Sequence, residues 1–336
     1  MNSDVVVSVK NIKIFFYTDQ RCNKAVNGVS FDIKKGKTLC IVGESGCGKS
    51  VTALSIMRLL PELSRIEEGE IIFNSEDGPV AIQELTKNGK AMRKIRGSEI
   101  AMVFQDPMTS LNPVFTVGFQ IMENLLNHNN MSKREARKET IGLLKKMGIS
   151  LPEERIDEYP HQYSGGMRQR AMIAMAMSCN PKVLIADEPT TSLDVTIQAQ
   201  IFELMDRLKK EYETAIVLIT HDMGVVAELA DDIAVMYMGN IIESGTLKEV
   251  LSNPAHPYTK ALLESIPVLG KGKNQKLEPI RGTTPDPFNR PKGCQFEPRC
   301  DYAYEKCKDM PADELLGGEH VVKCWKSQEV LKDAKK

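Results

Sequence analysis

Eight consecutive residues, Gly43-Glu-Ser-Gly-Cys-Gly-Lys-Ser50, match the spacing G-x-x-x-x-G-K-[ST]. They follow the apolar run Leu39 to Val42 and precede the helical stretch Val51 to Leu60, the strand-to-helix setting this loop needs. Gly43, Gly46 and Gly48 let the main chain curl until successive N–H groups point inward, and the helix that follows adds partial positive charge. Ser45, Cys47 and Val51 take part through their backbone. Lys49 offers a cation to the β- and γ-phosphates of a bound polyphosphate, and the Ser50 hydroxyl is a ligand for Mg²⁺. Cys47 lies near a helix N-terminus, which lowers a thiol pKa, but a small tolerated side chain is the simpler reading. Nucleotide binding follows from the loop. The reaction does not, because kinases, GTPases and motors share it.

Two other features supply chemistry. Val183-Leu-Ile-Ala-Asp187-Glu188 is an apolar strand ending in adjacent carboxylates, and the C-terminal ends of parallel strands face the ligand crevice. Asp187 is placed to hold the Mg²⁺ shell. Glu188 is placed to orient or deprotonate the water that attacks the γ-phosphate. Upstream, Ser164, Gly165 and Gly166 precede a helical stretch and expose N–H groups and a hydroxyl at its first turn, again suited to a phosphate.

The run Tyr163-Ser-Gly-Gly-Met-Arg-Gln-Arg170, lying between the loop and the Asp-Glu pair, resembles the signature motif of ABC ATPases. The resemblance implies further roles. Gln105, after the strand Ile100 to Phe104, is similar to the Q-loop glutamine that senses Mg²⁺ and the γ-phosphate. Ser192-Leu-Asp194 resembles the D-loop, and His221, after Ala215 to Thr220, resembles the switch histidine at the γ-phosphate. The family stacks adenine on an aromatic residue upstream of the loop; Phe16 fits that register best, with Tyr17 beside it. Met167 and Val51 depart from the common pattern, at positions that act through backbone N–H. The resemblance also implies that two ATPase subunits clamp head to tail, each phosphate loop completed by the partner's Ser-Gly-Gly helix tip. Segment Thr109 to Val117 is then the expected docking surface for a membrane partner.

These residues need a sheet to carry them. Runs at Val5 to Val9, Val29 to Ile33, Thr38 to Val42, Glu70 to Phe73, Ile100 to Phe104, Val183 to Ala186, Ala215 to Thr220 and Ile233 to Tyr237 read as strands. Continuous hydrophobic runs suit parallel strands covered on both faces, whereas the first two alternate as half-exposed antiparallel strands do. The expected fold class is α/β, a P-loop ABC ATPase with a mixed sheet and an antiparallel β-subdomain. Between Asp106 and Ser178 strand signals give way to helical periodicity, an inserted helical subdomain. Residues 1–255 form the ATP-binding domain on this reading, and 256–336 a small irregular C-terminal extension.

At 336 residues, 42% hydrophobic and 26% charged with a formal charge of −1, the chain can bury a sizeable core and offers no basic stripe for nucleic acid. No export signal and no bilayer-spanning run is expected. The expected location is peripheral, on the cytoplasmic face of the membrane.

Beyond Ala255 prolines such as Pro279, Pro285 and Pro287 replace apolar periodicity, and a segment poor in core formers needs a staple. Four of the eight cysteines, Cys294, Cys300, Cys307 and Cys324, lie there. Four thiolates without close C-x-x-C pairs favour a [4Fe-4S] cluster, with zinc as the alternative and no metal as the remaining reading. Asn253 to Leu263 and the Pro/Cys segment resemble the C-terminal extension of oligopeptide and dipeptide transporter ATPases, a group with nickel-uptake relatives. That resemblance implies ATP and Mg²⁺ as cofactors, import of di- or oligopeptides as the function, and three kinds of partner: a homologous ATPase, two transmembrane permeases and, indirectly, an extracellular solute-binding protein. Import of nickel or another small solute is an alternative, as is a soluble ABC ATPase with a redox-sensing tail.

Overall fold

The apolar runs fold as strands in the computed structural model, which describes residues 4–18, 21–106, 110–191, 193–265 and 280–334. Those strands are β1 (Val5–Tyr17), β2 (Cys22–Lys34), β3 (Thr38–Val42), β4 (Ser64–Ser75), β5 (Gly78–Ala81), β6 (Ile100–Val103), β7 (Val183–Asp187), β8 (Ala215–Thr220), β9 (Asp232–Tyr237), β10 (Asn240–Thr246), β11 (Glu314–Gly317) and β12 (His320–Val322). The helices are α1 (Lys49–Ile56), α2 (Lys90–Ile95), α3 (Val117–His128), α4 (Lys133–Lys146), α5 (Pro152–Arg155), α6 (Gly165–Met177), α7 (Val195–Tyr212), α8 (Met223–Leu229), α9 (Leu247–Ser252), α10 (Pro257–Glu264) and α11 (Ser327–Ala334). The expected Ser192, Thr109 and Pro279 fall outside the described residues.

Two units emerge, each assembled from separated stretches of chain. One contains Ile33–Lys37 and Asn74–Ile219 together with the residues up to Val6; the other contains Val7–Asp32, Thr38–Phe73 and everything from Thr220 onward.

In the first unit β6, β7 and β8 run parallel, with Ile100 opposite Val183 and Val183 opposite Ala215. Every residue of these three strands is buried, which is why they read as unbroken apolar runs rather than alternating ones. Between Asp106 and Ser178 the described residues form helices and no strand. Each long helix starts where a side chain can satisfy a first-turn N–H. Thr116 caps α3, Ser132 forms a capping box with Glu135 on α4, and Ser164 caps α6.

In the second unit β3 and β9 are parallel, β10 returns antiparallel to β9, and β12 adds antiparallel to β10. β1 and β4 pair antiparallel from Val7 opposite Phe73 to Phe16 opposite Ser64. The mixed sheet and the antiparallel β-subdomain are therefore present.

The C-terminal extension departs from its expected irregularity. Through β12 and β11 it lengthens the sheet at the β10 edge, and it buries Phe296, Val322 and Val330. Three- and four-residue strands carry too little periodicity to register in a sequence. The staple is a carboxylate: Glu243, fully buried, accepts hydrogen bonds from the N–H groups of Ala255 (2.7 Å) and His256 (3.0 Å) and lies 2.8 Å from His320 Nε2. His320 is itself buried against Glu243.

His256 begins α10, its Nδ1 accepting the Tyr258 N–H at 3.0 Å. Complete burial pushes its pKa down to about 3, because charging the ring inside the protein forfeits its hydration. An unfolded histidine titrates near 6.5, so the stability that burial of the neutral ring requires is present above that pH and is lost as pH falls toward the folded value. At pH 5 the loss from this ring is about 2 kcal/mol. His256→Asn keeps an acceptor for the helix start and removes the titration. Urea midpoints at pH 7 and pH 5 should therefore converge in the variant; an unchanged gap would exclude His256 as the source.

Candidate nucleotide site

The phosphate loop joins β3 to α1. Gly43 and Gly48 sit at φ 153° and 106°, where a side chain strains the backbone. Space excludes one as well. A Cβ on Gly43 would lie 2.2 Å from Met236 O, and one on Gly48 2.5 Å from Ala25 O. Lys49 is only 5% exposed, and its ammonium donates to Gly43 O (2.7 Å) and Glu44 O (3.0 Å). The cation is thus pinned inside the curl of the loop. Gly48 caps α1 without a side-chain partner, and Ser50 stands exposed in the first turn. Burial raises the Cys47 thiol pKa, overcoming the lowering influence of Lys49, so a reactive thiolate at the loop is not supported.

No motif singles out Glu44, yet it is held through its N–H, its carbonyl and its carboxylate. Its N–H donates to the Tyr258 hydroxyl at 2.9 Å. Its carboxylate receives both terminal nitrogens of Arg299, at 2.8 and 2.9 Å, and the Thr284 hydroxyl at 2.8 Å. Partial burial alone would raise the Glu44 pKa, but hydrogen bonds from Arg299 and Thr284 outweigh it and hold the group below the usual carboxylate range. Arg299 is 255 residues away in sequence, a separation no local pattern bridges.

In the other unit β7 delivers Asp187, 7% exposed, and Glu188 directly after it. Glu188 adopts φ 44°, a left-handed conformation that costs a non-glycine residue on the order of 1 kcal/mol and collects at functional sites. Surrounding bonds fix it there. Its N–H donates to Ile219 O at 2.9 Å, its Oε2 accepts from Gln105 Nε2 at 2.7 Å and from Thr191 Oγ1 at 3.3 Å. Gln105 and Glu188, expected as parts of separate motifs, are thus in direct contact. Thr191 is a further contact that no motif flagged.

Ser164 caps α6 by accepting the Met167 N–H at 3.3 Å, and it stands exposed with Gly165. Gly166 lets α6 approach α7, since a Cβ there would lie 2.9 Å from Ile197 Cγ2. Asp194 caps α7, its Oδ1 accepting the Ile197 N–H at 3.0 Å. One packed corner therefore joins the Ser-Gly-Gly turn to the segment carrying Asp194. His221 is exposed, immediately after β8 and ahead of Asp222, which caps α8. Phe16 and Tyr17 end β1; the Tyr17 hydroxyl donates to Glu67 at 2.8 Å and its ring lies 5.8 Å from the Arg65 guanidinium. Phe16 is opposite Ser64.

Ser50 and Asp187 offer hydroxyl and carboxylate oxygens, the hard donors Mg²⁺ takes. The cysteine segment is different. Cys294, Cys300, Cys307 and Cys324 are free thiols, and Cys294 N–H donates to Cys307 O at 2.9 Å. Burial foremost, with the neighbouring cysteines adding to it, pushes Cys300 and Cys324 up to about 12. Among the described residues no group of three or more His, Cys, Asp or Glu side chains is arranged to hold a metal ion. The extension is therefore strand-bearing rather than irregular, and its four cysteine thiols lie within electrostatic reach of one another.

Comparison with known proteins agrees with this geometry. A family model described as ABC transporter matches residues 26–191, and one described as oligopeptide/dipeptide transporter, C-terminal region, matches residues 242–307. The chain is 51% identical over 322 residues to the dipeptide transport ATP-binding protein DppD of Bacillus subtilis, covering 95% of this chain and 94% of that one. It is 51% identical to the oligopeptide transport ATP-binding protein AppD of the same organism, covering 90% of each chain. Among solved structures, the dimeric post-hydrolysis state of the ATP-binding cassette MJ0796 bound to ADP and Pi is similar, with TM-score 0.63 and 29% identity, over 72% of this chain and 98% of that one. The glycine loop, the strained Asp-Glu strand end, the Ser-Gly-Gly helix cap and these relatives together place the chain in the ABC transporter family, among the ATP-binding proteins of oligopeptide and dipeptide transport.

Proposed function

We propose that the chain hydrolyses ATP to drive import of di- or oligopeptides, as a peripheral subunit on the cytoplasmic face of a membrane transporter. The observation that carries the chemistry is the Gln105–Glu188 hydrogen bond beside Asp187, a carboxylate held at a strand end where a γ-phosphate water must be oriented. The peptide class rests on the relatives' transport names and on the matching C-terminal region. Among the described residues no helix is long and apolar enough to cross a membrane; on the strength of the relatives' transport names, translocation in this reading falls to separate permease subunits.

In this reading Gly43, Ser45, Gly46, Cys47, Gly48 and Val51 present main-chain N–H groups to the phosphates, and Lys49 balances their charge. Ser50, Gln105 and Asp187 would hold Mg²⁺, which would supply neutralisation of developing charge. Glu188 takes the proton of the attacking water, and His221 contacts the γ-phosphate. Phe16 or Tyr17 stacks on adenine. Ser164, Gly165 and Gly166, with Asp194 behind them, complete the site of a second, homologous ATPase subunit, as one loop and one helix tip per chain require. Residues 1–255 form the ATP-binding domain and 256–336 the extension. Cys294, Cys300, Cys307 and Cys324 remain candidates for a thiolate-bound [4Fe-4S] cluster, or zinc, on the strength of their mutual proximity; no catalytic step runs through it.

Co-expression with two candidate permeases tests the proposal. A stable complex whose ATPase rises with peptide and its solute-binding protein is the expected result. An ATPase recovered alone, and indifferent to both, would contradict transport.

A further inference from the structure

Nothing in the loop motif explains why its second residue should be anchored at three points. The Glu44 N–H is held by Tyr258, its carbonyl by the Lys49 ammonium at 3.0 Å, and its carboxylate by Arg299 and Thr284. Arg299 is itself fully committed. Its side chain is 4% exposed; Nε donates to Arg281 O at 2.9 Å, Nη1 to the Tyr237 hydroxyl at 3.3 Å, and the guanidinium lies 5.8 Å from the rings of both Tyr237 and Phe296. Those rings pack with Tyr258 at centroid separations of 4.8 to 5.4 Å. Phe296 and Arg299 both fall between Cys294 and Cys300. The cysteine segment thus reaches the phosphate loop through a part-buried, bidentate pair.

We propose that Arg299 is a positioning residue for the phosphate loop, so that the C-terminal extension presets the loop for nucleotide. The proposal rests on reading that loop as the phosphate cradle. A planar guanidinium gripping a carboxylate at two points fixes orientation as well as distance. Fixing Glu44 fixes the carbonyl that receives Lys49, the cation meant for the phosphates. A loop held in its binding geometry loses less freedom when ligand arrives, and affinity rises accordingly. Arg299 acts through the loop that receives the phosphates, so the benefit belongs to binding rather than to turnover.

The test measures direct ATP binding and steady-state hydrolysis in the full-length chain. Arg299→Ala should raise Kd and KM for ATP about tenfold, with kcat changing far less. Arg299→Lys keeps the charge but loses the fork, and should recover part of the affinity. Glu44→Gln keeps shape and weakens the same pair, so it serves if the arginine variants fail to fold. The double variant Arg299→Ala with Glu44→Gln should be no weaker than the worse single one, because both remove one interaction. Wild-type affinity in the single variants, or additive losses in the double, would overturn the proposal. A wild-type chain that binds no ATP would instead remove the nucleotide reading itself.

Discussion

Glu188→Gln is expected to slow ATP hydrolysis by about 10²–10³-fold while leaving ATP affinity nearly unchanged. The amide has the shape of the carboxylate, so the contacts from Gln105 and Thr191 and the left-handed backbone at Glu188 can persist. What disappears is the group able to take a proton from water. Removing one of two adjacent carboxylates also eases repulsion toward bound phosphates, which favours retention of ATP. Single-turnover hydrolysis followed beside equilibrium binding separates the two effects. Unchanged turnover would mean that the proton acceptor is another group.

Lys49→Ala should weaken ATP binding by about 100-fold or more. The ammonium is nearly enclosed, and a charge acts more strongly on phosphate where water is excluded. The same substitution leaves the carbonyls of Gly43 and Glu44 without the donor they now share, so the curl of the loop loosens as its charge is lost. Binding measured with a fluorescent ATP analogue, with thermal melting as the control for folding, reads both. A variant that melts normally and binds ATP as the parent does would remove Lys49 from the site.

Much of this local geometry was legible because its parts are contiguous in sequence. The loop, the Asp187-Glu188 strand end and the Ser164 cap are each contiguous, and a buried parallel strand announces itself as an apolar run. β3, β7 and β8 stand where such runs lie. The link from Gln105 to Glu188 needed the fold, since the β6–β7 neighbour relation is not written in either segment. The Glu44–Arg299 pair was illegible for the same reason at greater range: a glutamate within a glycine loop and an arginine in a proline-rich tail are each ordinary alone.

The C-terminal extension was misread for a different reason. Its cysteines and prolines draw attention away from His320 to Val322, a strand too short for periodicity to reveal. Glu243 is fully buried in β10 and therefore needs polar partners, since an isolated buried carboxylate is strongly disfavoured. They came from the backbone at Ala255 and His256 and from His320. That demand, rather than a count of cysteines, marked where the extension docks.

One nucleotide's terminal phosphate shared between the glycine loop of one subunit and the Ser164 helix tip of another is the central physical claim. Sedimentation of the Glu188→Gln subunit at saturating ATP, alone and with a co-expressed homologous ATPase, tests it most directly. A particle of two ATPase subunits that separates when nucleotide is removed is the expected result. A single subunit carrying ATP at every concentration, with either partner present, would contradict it.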